Sequence, residues 1–299
     1  MKIVSLLPST TEILFAVGAG DDVVGVTFEC DYPAEARTRR IVSTSALPDN
    51  LAPHEIDRHV AEALHNGEDL YHLQADALSD LDADLVITQD LCAVCAVDLS
   101  VVDDALAYLG CRADVLSVDP FTVAEVIDSI VRVGERVGRR PAAEALVSTL
   151  NERLDAVSTA VAGRPKPRVL LLEWTDPPFA PGHWLPEMVE RAGGIPVLGT
   201  TGEKSHRITW DQAREAAPDV VVSVPCGYDL EASAALAEPV LDQFPGIPVW
   251  AADANASFAR PGPRIVDGIE AMAKILHPDA FDSADPAPIA RRLTASAGS

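Results

Sequence analysis

The sequence predicts an α/β protein made of two Rossmann-like lobes with parallel sheets, joined by a long helical segment. Short β-branched runs alternate with helical patterns in both halves of the chain, which predicts parallel strands in a doubly wound sheet. Between the halves lies a stretch that carries helical periodicity alone. The 299 residues suffice for two domains of ordinary size. We therefore predict lobes over residues 1–121 and 164–299, with the linking helical segment over 122–163.

The first lobe is predicted from short apolar runs and from the amphipathic stretches between them. The runs are rich in valine, isoleucine and leucine, which is typical of strands buried on both faces. The predicted strands are 2–7, 23–27, 41–43, 85–88 and 113–118. The predicted helices are 10–17, 55–66, 75–81 and 100–109.

The linking segment has apolar residues at helical spacing from Val123 to Leu154, with charged residues between them. The pattern is interrupted near Gly138, and Pro141 suits the first position of a second helix. The glycine and prolines between Gly163 and Pro167 form a clear breaker. The segment is therefore predicted to be two helices in succession.

The second lobe repeats the alternation of strands and helices. Its predicted strands are 169–173, 197–198, 220–224 and 249–251. Its predicted helices are 185–192, 210–216, 231–243 and 264–276. The tail after His277 is rich in alanine, serine, aspartate and proline, which predicts a loosely held end.

Composition limits the partners of the chain. The formal net charge is -23, and so acidic a surface repels phosphate backbones, which argues against nucleic acid. No run reaches the roughly 18 apolar residues of a membrane span, so direct membrane insertion is not expected. A strand directly after Met1, without a preceding leader, predicts a cytoplasmic protein. Five cysteines, an odd number, also suit a reducing compartment.

The loops that follow the strands are the expected binding region, because ligands of open parallel sheets bind beyond the carboxyl ends of the strands. Aromatic residues are only 5 % of the chain, so their presence in these loops indicates a large, partly apolar, planar ligand. Ser9 and Glu12 are predicted to form a capping box at the first helix. The candidate ligand-binding residues are Ser9, Thr10, Glu29, Cys30, Tyr32, Asp90, Glu173, Trp174, Asp176, Phe179, His183, Trp184, Tyr228, Asn255, Phe258 and Arg260.

Four cysteines share these loops, and their role has three interpretations. They are small buried hydrophobic residues near a cleft, or metal ligands, or thiols with covalent or redox chemistry. Cys92-x-x-Cys95 has the spacing of a metal-binding pair. The tentative metal ligands are Cys92, Cys95, Cys226 and His183, with Cys30 or Glu29 as further donors. His183 is alternatively an ordinary polar contact.

Several segments spread over nearly the whole chain resemble the cobalamin-binding branch of the class III substrate-binding proteins. In the first lobe these are Val4–Glu12, Val24–Thr27, Asp31–Pro33 and Asp84–Ile87. In the second lobe they are Pro177–Phe179, Gly193–Gly194 and Arg260–Arg264.

The resemblance implies a class III periplasmic-binding-protein-like fold and a ligand such as cobalamin or another metal-containing molecule. Relatives of this architecture also bind haem, siderophores or metal ions. The family places one acidic residue on each lobe to meet arginines of an ABC permease. By position these residues look like Asp76 and Asp211.

The resulting hypothesis is binding of a corrinoid or a related large metallo-ligand in the cleft between the lobes, inside the cell. A permease is then a partner only if the protein is exported. One alternative is an enzyme on this scaffold that uses Cys92, Cys30 or Cys226 with Glu29, Glu173 or His183. The other alternative is the substrate-binding component of a cobalamin or iron-siderophore ABC importer.

Overall fold

The computed structural model describes residues 1–48, 51–66, 68, 70–74, 77–78, 80–89 and 113–294. Its contacts divide the chain into two compact units. The first unit comprises Met1–Pro120 and Ile127–Val147, and the second comprises Phe121–Val126 and Ser148–Ser299. Both units contain a mostly parallel sheet with helices, so the predicted α/β class is confirmed.

The sheet of the first unit has six strands among the described residues, in the order β4-β3-β2-β1-β5-β6. Neighbouring strands are parallel except for the antiparallel pair β3 and β4. Their bounds are Ile3–Ser5 (β1), Val23–Thr27 (β2), Arg40–Ser45 (β3), Tyr71–Leu73 (β4), Leu85–Thr88 (β5) and Asp114–Ser117 (β6). The sequence did not predict β4, because three residues are too few to show a period.

The strand order of this sheet reverses between β1 and β5. Ile3 pairs with Val23 on one side and with Leu85 on the other, and all three side chains are buried. The chain thus builds outward from β1 in one direction and from β5 in the other. Such a switch point leaves a crevice beyond the carboxyl ends of its two strands, which is where open α/β sheets bind ligands.

The first helix, α1, spans Pro8–Ala16, and the second, α2, spans Pro53–Asn66. The predicted capping box is wrong, since α1 begins at Pro8 and its cap residue is Leu7, which makes no side-chain capping bond. Proline suits the first helical position because its missing N–H would have no partner there. Ser9 therefore lies inside the first turn, where its side chain cannot serve as the cap.

The linking segment forms two helices, as predicted: α3 spans Val123–Arg136 and α4 spans Arg140–Val161. Gly138 between them has a φ of +68°, a conformation that glycine adopts without steric cost. At Gly134 a Cβ atom would collide with the side chain of Ala143, so the two helices approach closely after the turn.

The main sheet of the second unit has five strands in the described part, in the order β10-β7-β12-β13-β14. All neighbours are parallel except β13 and β14. The bounds are Arg168–Leu172 (β7), Ile195–Pro196 (β10), Val220–Ser223 (β12), Val249–Ala252 (β13) and Ala290–Arg292 (β14). Here the switch point lies between β7 and β12, since β10 and β12 flank β7 on opposite sides.

A small antiparallel sheet follows β7 in the same unit. It contains Trp174–Thr175 (β8), Pro178–Ala180 (β9) and His206–Arg207 (β11), with β9 in the middle. These strands and β14 were not predicted. The tail predicted to be loosely held instead contributes β14, in which Ala290 is buried and pairs with Ala252.

The helices of the second unit are short except for the last. They are Leu185–Arg191 (α5), Trp210–Glu215 (α6), Leu230–Ala237 (α7), Val240–Gln243 (α8), Ala254–Ser257 (α9) and Ile265–Leu276 (α10). The helix predicted over 231–243 is divided at Pro239, because proline lacks the N–H that a helix interior needs. The strand predicted over 197–198 lies instead at β10, two residues earlier.

An ionic cluster holds α4 against α10 within the second unit. Arg153 donates from Nε to Glu270 at 2.9 Å and from one terminal nitrogen to Glu270 at 2.7 Å and Asp267 at 2.5 Å. These carboxylates raise the pKa of Arg153. Bidentate pairs of this kind fix geometry as well as charge.

Among the described helices, none has the length and apolar character of a membrane span.

Candidate ligand-binding site

Two aromatic side chains meet at the switch point of the second unit. Trp174 follows β7, and Tyr228 lies on the loop that follows β12. Their ring centroids are 5.6 Å apart with an interplanar angle of 59°, and both residues are partly exposed. Such tilted contacts are favourable for aromatic pairs. We call this pair of rings, which follows the carboxyl ends of β7 and β12, the aromatic wall.

The β8–β9 hairpin positions Trp174. The indole Nε1 donates to the carbonyl oxygen of Asp176 at 3.0 Å, and the N–H of Glu173 donates to the carbonyl of Phe179 at 3.1 Å. The Glu173 carboxylate accepts a hydrogen bond from the hydroxyl of Ser205. Asp176 is exposed at the turn of the hairpin. The hairpin thus brings together Glu173, Trp174, Asp176 and Phe179, four of the candidate ligand-binding residues.

Backbone hydrogen bonds connect Tyr228 to the segments that follow two strands. Its N–H donates to the carbonyl of Pro225 at 3.2 Å, and its carbonyl accepts from the N–H of Asn255 at 3.0 Å. Asn255 follows β13, so the loops after β12 and β13 are tied together. Burial raises the pKa of the Tyr228 phenol above its ordinary value. Cys226, on the same loop, is a partly exposed cysteine.

The loop after β13 carries a buried carboxyl group. Asp253 caps α9, and its Oδ1 accepts from the N–H of Ala256 at 2.9 Å. Burial raises the pKa of Asp253, while that hydrogen bond and the charges of Arg264 and Arg260 act in the opposite direction. Arg260 is itself buried. The predicted guanidinium at this loop thus lies inside the fold, close enough to influence the carboxyl group.

His183 has an unusual backbone and an unpaired side-chain atom. Its φ is +51°, a left-handed conformation that few residues other than glycine adopt. Its N–H donates to the carbonyl of Glu203 at 2.6 Å, and its carbonyl accepts from the N–H of Gly202 at 3.0 Å. Its Nε2 is buried and has no hydrogen-bond partner in the described part of the chain. An unmet buried polar atom costs about 1–3 kcal/mol.

The imidazole of His183 lies against two aromatic rings, those of Phe121 and Trp184, each with its centroid 5.7 Å away. Trp184 was predicted to line the ligand surface together with Phe258. The structure corrects this, since Trp184 is 7 % exposed and Phe258 is 0 % exposed. The Trp184 Nε1 donates to the Phe258 carbonyl at 2.7 Å, so both residues belong to the core behind the loops.

The free energy of unfolding is expected to decrease below about pH 6.5 through His183. Burial, and secondarily the charge of Lys204, lower the pKa of His183 in the folded chain. The unfolded chain therefore binds the proton more readily. The stabilisation is complete above the unfolded pKa and is lost as the pH falls below it and through the lower folded pKa.

This pH dependence is measurable as the urea midpoint between about pH 8 and about pH 5. The matched variant is His183→Asn, because asparagine tolerates a positive φ. The wild type should lose more stability than the variant over this interval. The same loss in both proteins would contradict the assignment.

The first unit contains a buried polar network at the end of β1. The hydroxyl of Ser5 lies 2.7 Å from that of Thr10 and accepts from that of Thr11 at 2.9 Å. The Thr11 hydroxyl also lies 3.1 Å from the Cys30 sulfur. The three hydroxyl oxygens each lie within hydrogen-bonding distance of the Leu7 carbonyl oxygen, at 3.0 to 3.2 Å.

Burial in the first unit corrects three predicted ligand contacts. Ser9, Thr10 and Cys30 are all buried, and the Thr10 hydroxyl and the Cys30 thiol already have partners inside the fold. The contact of Thr11 with Cys30 connects α1 to the segment that follows β2. In this structure they offer no surface to a ligand.

Aromatic side chains also lie beyond β2. Phe28 is 39 % exposed and Tyr32 is 49 % exposed. The ring of Phe28 lies 5.9 Å from that of Tyr71, whose hydroxyl donates to Glu29 at 2.9 Å. Glu29 and Tyr32 were predicted from the sequence, whereas Phe28 was missed. Its position directly after β2 was an available signal.

Gln89 is a second residue that the sequence interpretation missed. It follows β5 at the switch point of the first unit and is 4 % exposed, and its Nε2 has no hydrogen-bond partner among the described residues. The predicted residues Asp76, Asp90, Cys92 and Cys95 lie outside the described residues. The role of the Cys92-x-x-Cys95 pair therefore stays a prediction.

The described residues do not form the predicted metal site. Over these ranges, no group of three or more histidine, cysteine, aspartate or glutamate residues could hold a metal ion. His183 and Cys226 thus do not form a metal site with other described residues. The Cys30 sulfur is instead hydrogen-bonded with the Thr11 hydroxyl. This result does not include Cys92 and Cys95, which lie outside the described residues.

Each unit has a mostly parallel sheet, and aromatic and polar residues lie on the loops that follow the strands at its switch point. This is the architecture of a ligand-binding protein. The family model described as periplasmic binding protein matches residues 3–252, and the chain belongs to this family. A curated relative is the uncharacterized ABC transporter substrate-binding lipoprotein YvrC of Bacillus subtilis (strain 168). It is 24 % identical over 296 residues, covering 94 % of this chain and 81 % of the relative.

Two solved structures show the same fold. The periplasmic vitamin B12 binding protein BtuF of Vibrio cholerae is 20 % identical with a TM-score of 0.68, covering 94 % of this chain and 98 % of that one. A periplasmic heme binding protein from Pseudomonas aeruginosa is 19 % identical with a TM-score of 0.71, covering 99 % of both chains. The resemblance to substrate-binding proteins and the class III fold are thereby confirmed.

The same findings overturn the predicted cytoplasmic location. The family is described as periplasmic, and the curated relative is a lipoprotein of an ABC transporter. The expectation that a permease is a partner only after export depended on that prediction, so it is not supported either. The predicted cytoplasmic location had depended on the first residues of the chain, whereas the family match depends on residues 3–252.

Proposed function

We propose that the chain is the substrate-binding component of an ABC importer and that its ligand is a large metal-containing tetrapyrrole, with a corrinoid as the first candidate. The observation that carries this proposal is the contact of Trp174 with Tyr228 at the switch point of β7 and β12. Ligand pockets combine apolar and aromatic walls with a few polar groups. An aromatic pair at the expected crevice suits a wide, flat ligand.

The charges around this pair favour a corrinoid over haem. The loops after β7, β12 and β13 carry the carboxylates of Asp176, Asp229 and Asp253. A corrinoid bears mostly neutral amides at its edge, which can donate hydrogen bonds to carboxylates. Haem bears propionates, which like charges repel. A net charge of -23 acts in the same direction.

Haem is the second candidate, and two observations favour it. The heme binding protein from Pseudomonas aeruginosa has a TM-score of 0.71 to this chain. His183 has a buried Nε2 without a partner, and imidazole is a common axial ligand of haem iron. Both candidates share the flat metal-containing ring that the aromatic pair would contact.

Calorimetric titration of the whole chain with cyanocobalamin, haemin and a ferric siderophore tests the proposal. We expect cyanocobalamin to bind at one site with a Kd of about 1 μM or below, the range of about -8 kcal/mol in binding free energy. Tighter binding of haemin would select the second candidate. If only the siderophore binds, or if none of the three does, the proposed tetrapyrrole ligand is wrong.

Asp211 is the proposed contact of the second unit with the permease. Its side chain is 83 % exposed in the first turn of α6, where it pairs with Arg214 at 2.5 Å. An exposed pair of this kind contributes little to stability, so it can be exchanged for a permease arginine. Asp76, the other proposed contact, lies outside the described residues.

Charge reversal at this position should reduce ligand-dependent transport without changing ligand binding. We expect Asp211→Arg to lower the ligand-stimulated ATPase activity of the reconstituted importer by about tenfold, because like charges oppose docking. Asp242→Arg is the matched control, since Asp242 is also an exposed aspartate in the first turn of a helix of this unit. Equal activity of the two variants would refute the contact.

A further inference from the structure

We propose that Arg207 binds the anionic group of the ligand, which is the phosphodiester of the nucleotide loop in a corrinoid or a propionate in haem. This inference rests on the proposed function and adds a specificity-determining residue to it. Both groups have two oxygens that share a negative charge and accept hydrogen bonds. A guanidinium suits either group, because its planar fork of N–H donors matches a phosphate or a carboxylate.

The register of the small antiparallel sheet places Arg207 beside the aromatic wall. Trp174 on β8 is paired with Phe179 on β9, and Phe179 is paired with Arg207 on β11. Residues directly opposite each other in antiparallel strands have their side chains on the same face of the sheet. Trp174, Phe179 and Arg207 therefore form one row across the three strands. Tyr228 contacts the row at Trp174.

The guanidinium of Arg207 is held over the ring of Phe179. The Cζ atom of Arg207 lies 5.7 Å from the centroid of that ring. Phe179 is partly exposed and Arg207 is exposed. A cation over an aromatic ring is attracted by the ring without using its N–H donors. The contact thus orients the guanidinium on an exposed surface that a ligand can reach.

The width of this row fits a tetrapyrrole with an anionic substituent at its edge. Neighbouring strands lie about 4.8 Å apart, so the backbones of Trp174 and Arg207 are separated by about 10 Å. That distance is comparable with the width of a tetrapyrrole ring. The propionates of haem and the nucleotide loop of a corrinoid both start at the edge of the ring. A ring that contacts Trp174 and Tyr228 would therefore have its edge near Arg207.

The charges around the row favour Arg207 as the residue that binds the anionic group. Glu173 and Asp176 lie within two residues of Trp174, and the whole chain has a net charge of -23. These carboxylates repel an anion at the Trp174 end of the row. The segment between α5 and α6 carries the cations Lys204 and Arg207, and the strand register places Arg207 in the row. The anionic group should therefore lie at the β11 end.

Two corrinoids that differ in the phosphodiester test the inference. Cyanocobalamin contains the nucleotide loop with its phosphodiester, whereas dicyanocobinamide lacks the loop. We expect Arg207→Gln to bind cyanocobalamin at least about tenfold more weakly than wild type, because a charge-assisted hydrogen bond is lost. We expect the same variant to bind dicyanocobinamide within about twofold of wild type. Calorimetric titration of the whole chain measures both affinities.

Two further variants serve as matched controls. His206→Gln changes the neighbouring residue on β11, whose side chain lies on the opposite face because side chains alternate along a strand. Arg292→Gln makes the same change of residue type and charge at an exposed arginine on β14 of this unit. Both controls should bind the two corrinoids like wild type. Urea midpoints of the three variants check that the fold is retained.

Binding by the wild type decides the proposed function, and the variants decide the inference. If the wild type binds cyanocobalamin but Arg207→Gln weakens both corrinoids equally, or neither, the inference is overturned and the proposed function stands. A similar loss of cyanocobalamin affinity in either control would also overturn the inference.

If the wild type binds haemin but neither corrinoid, haemin and its dimethyl ester replace the corrinoid pair, because esterification removes the charge of the propionates. Weaker binding of haemin alone by Arg207→Gln would support the inference. An equal loss with haemin and its ester, or no loss, would overturn it. If no tetrapyrrole binds to the wild type, the proposed function fails and the inference fails with it.

Discussion

Replacing Gly193 with alanine is expected to lower the free energy of unfolding by about 3 kcal/mol. Gly193 follows α5 and has a φ of +84°, a left-handed conformation in which a side chain is strained. A Cβ atom there would lie 2.6 Å from the Nε2 of His277 and 2.9 Å from the Cβ of Val161. The added methyl group therefore meets both a conformational and a steric penalty.

The steric penalty affects a buried junction of three helices. The Nε2 of His277, after α10, lies 3.1 Å from the Gly193 carbonyl oxygen in a hydrogen bond. Val161 is the last residue of α4. Neither neighbour is the free end of a flexible chain, so the methyl group must displace a helix end or break the hydrogen bond. Breaking it would leave a buried polar group unmet.

Urea unfolding of the variant measures the effect, with Gly246→Ala as the matched control. Gly246 has a φ of +83°, but a Cβ atom there would meet no atom of the described residues within 4 Å. The free energy of unfolding of the control should decrease by only about 1 kcal/mol, the cost of placing a side chain at a positive φ. Equal losses in the two variants would show that packing at Gly193 plays no part.

The sequence allowed the helices and parallel strands to be predicted because their signals are local. Apolar spacing located α3 and α4, and buried runs located β7 and β12. The short strands β8, β9 and β11 are two or three residues long and show no period. The pairing of β7 with β12 joins residues about fifty positions apart, such as Val169 and Val220. That pairing creates the switch point, and no local pattern encodes it.

Side-chain exposure was the weakest part of the site prediction. Trp174 and Trp184 both follow strands of the second unit, and the sequence does not distinguish their environments. The structure leaves Trp174 partly exposed and buries Trp184 against the Phe258 carbonyl. Likewise the unpaired Nε2 of His183 arises from packing and not from a motif. Long-range packing decides such differences, so only a structure could reveal them.

Substituting alanine for both Trp174 and Tyr228 is expected to weaken binding of the tetrapyrrole by about 100-fold, equivalent to about 2.7 kcal/mol. Large aromatic side chains dominate contacts of this kind because they bury much apolar area with few rotatable bonds. Each single alanine variant should cost about tenfold. The rings lie 5.6 Å apart, so the two losses are not expected to be strictly additive.

Conservative variants separate ring contact from loop structure. Tyr228→Phe keeps the ring, so it should bind cyanocobalamin like wild type. Trp174→Phe keeps an apolar ring but loses the bond from Nε1 to the Asp176 carbonyl, so it reports the contribution of the hairpin. If Trp174→Phe weakens binding as much as Trp174→Ala, then loop order matters more than the aromatic surface. If the double alanine variant is folded and binds with unchanged affinity, the aromatic wall is not the ligand surface. The exposed ring of Phe28, beyond β2 in the first unit, would then be the next residue to replace.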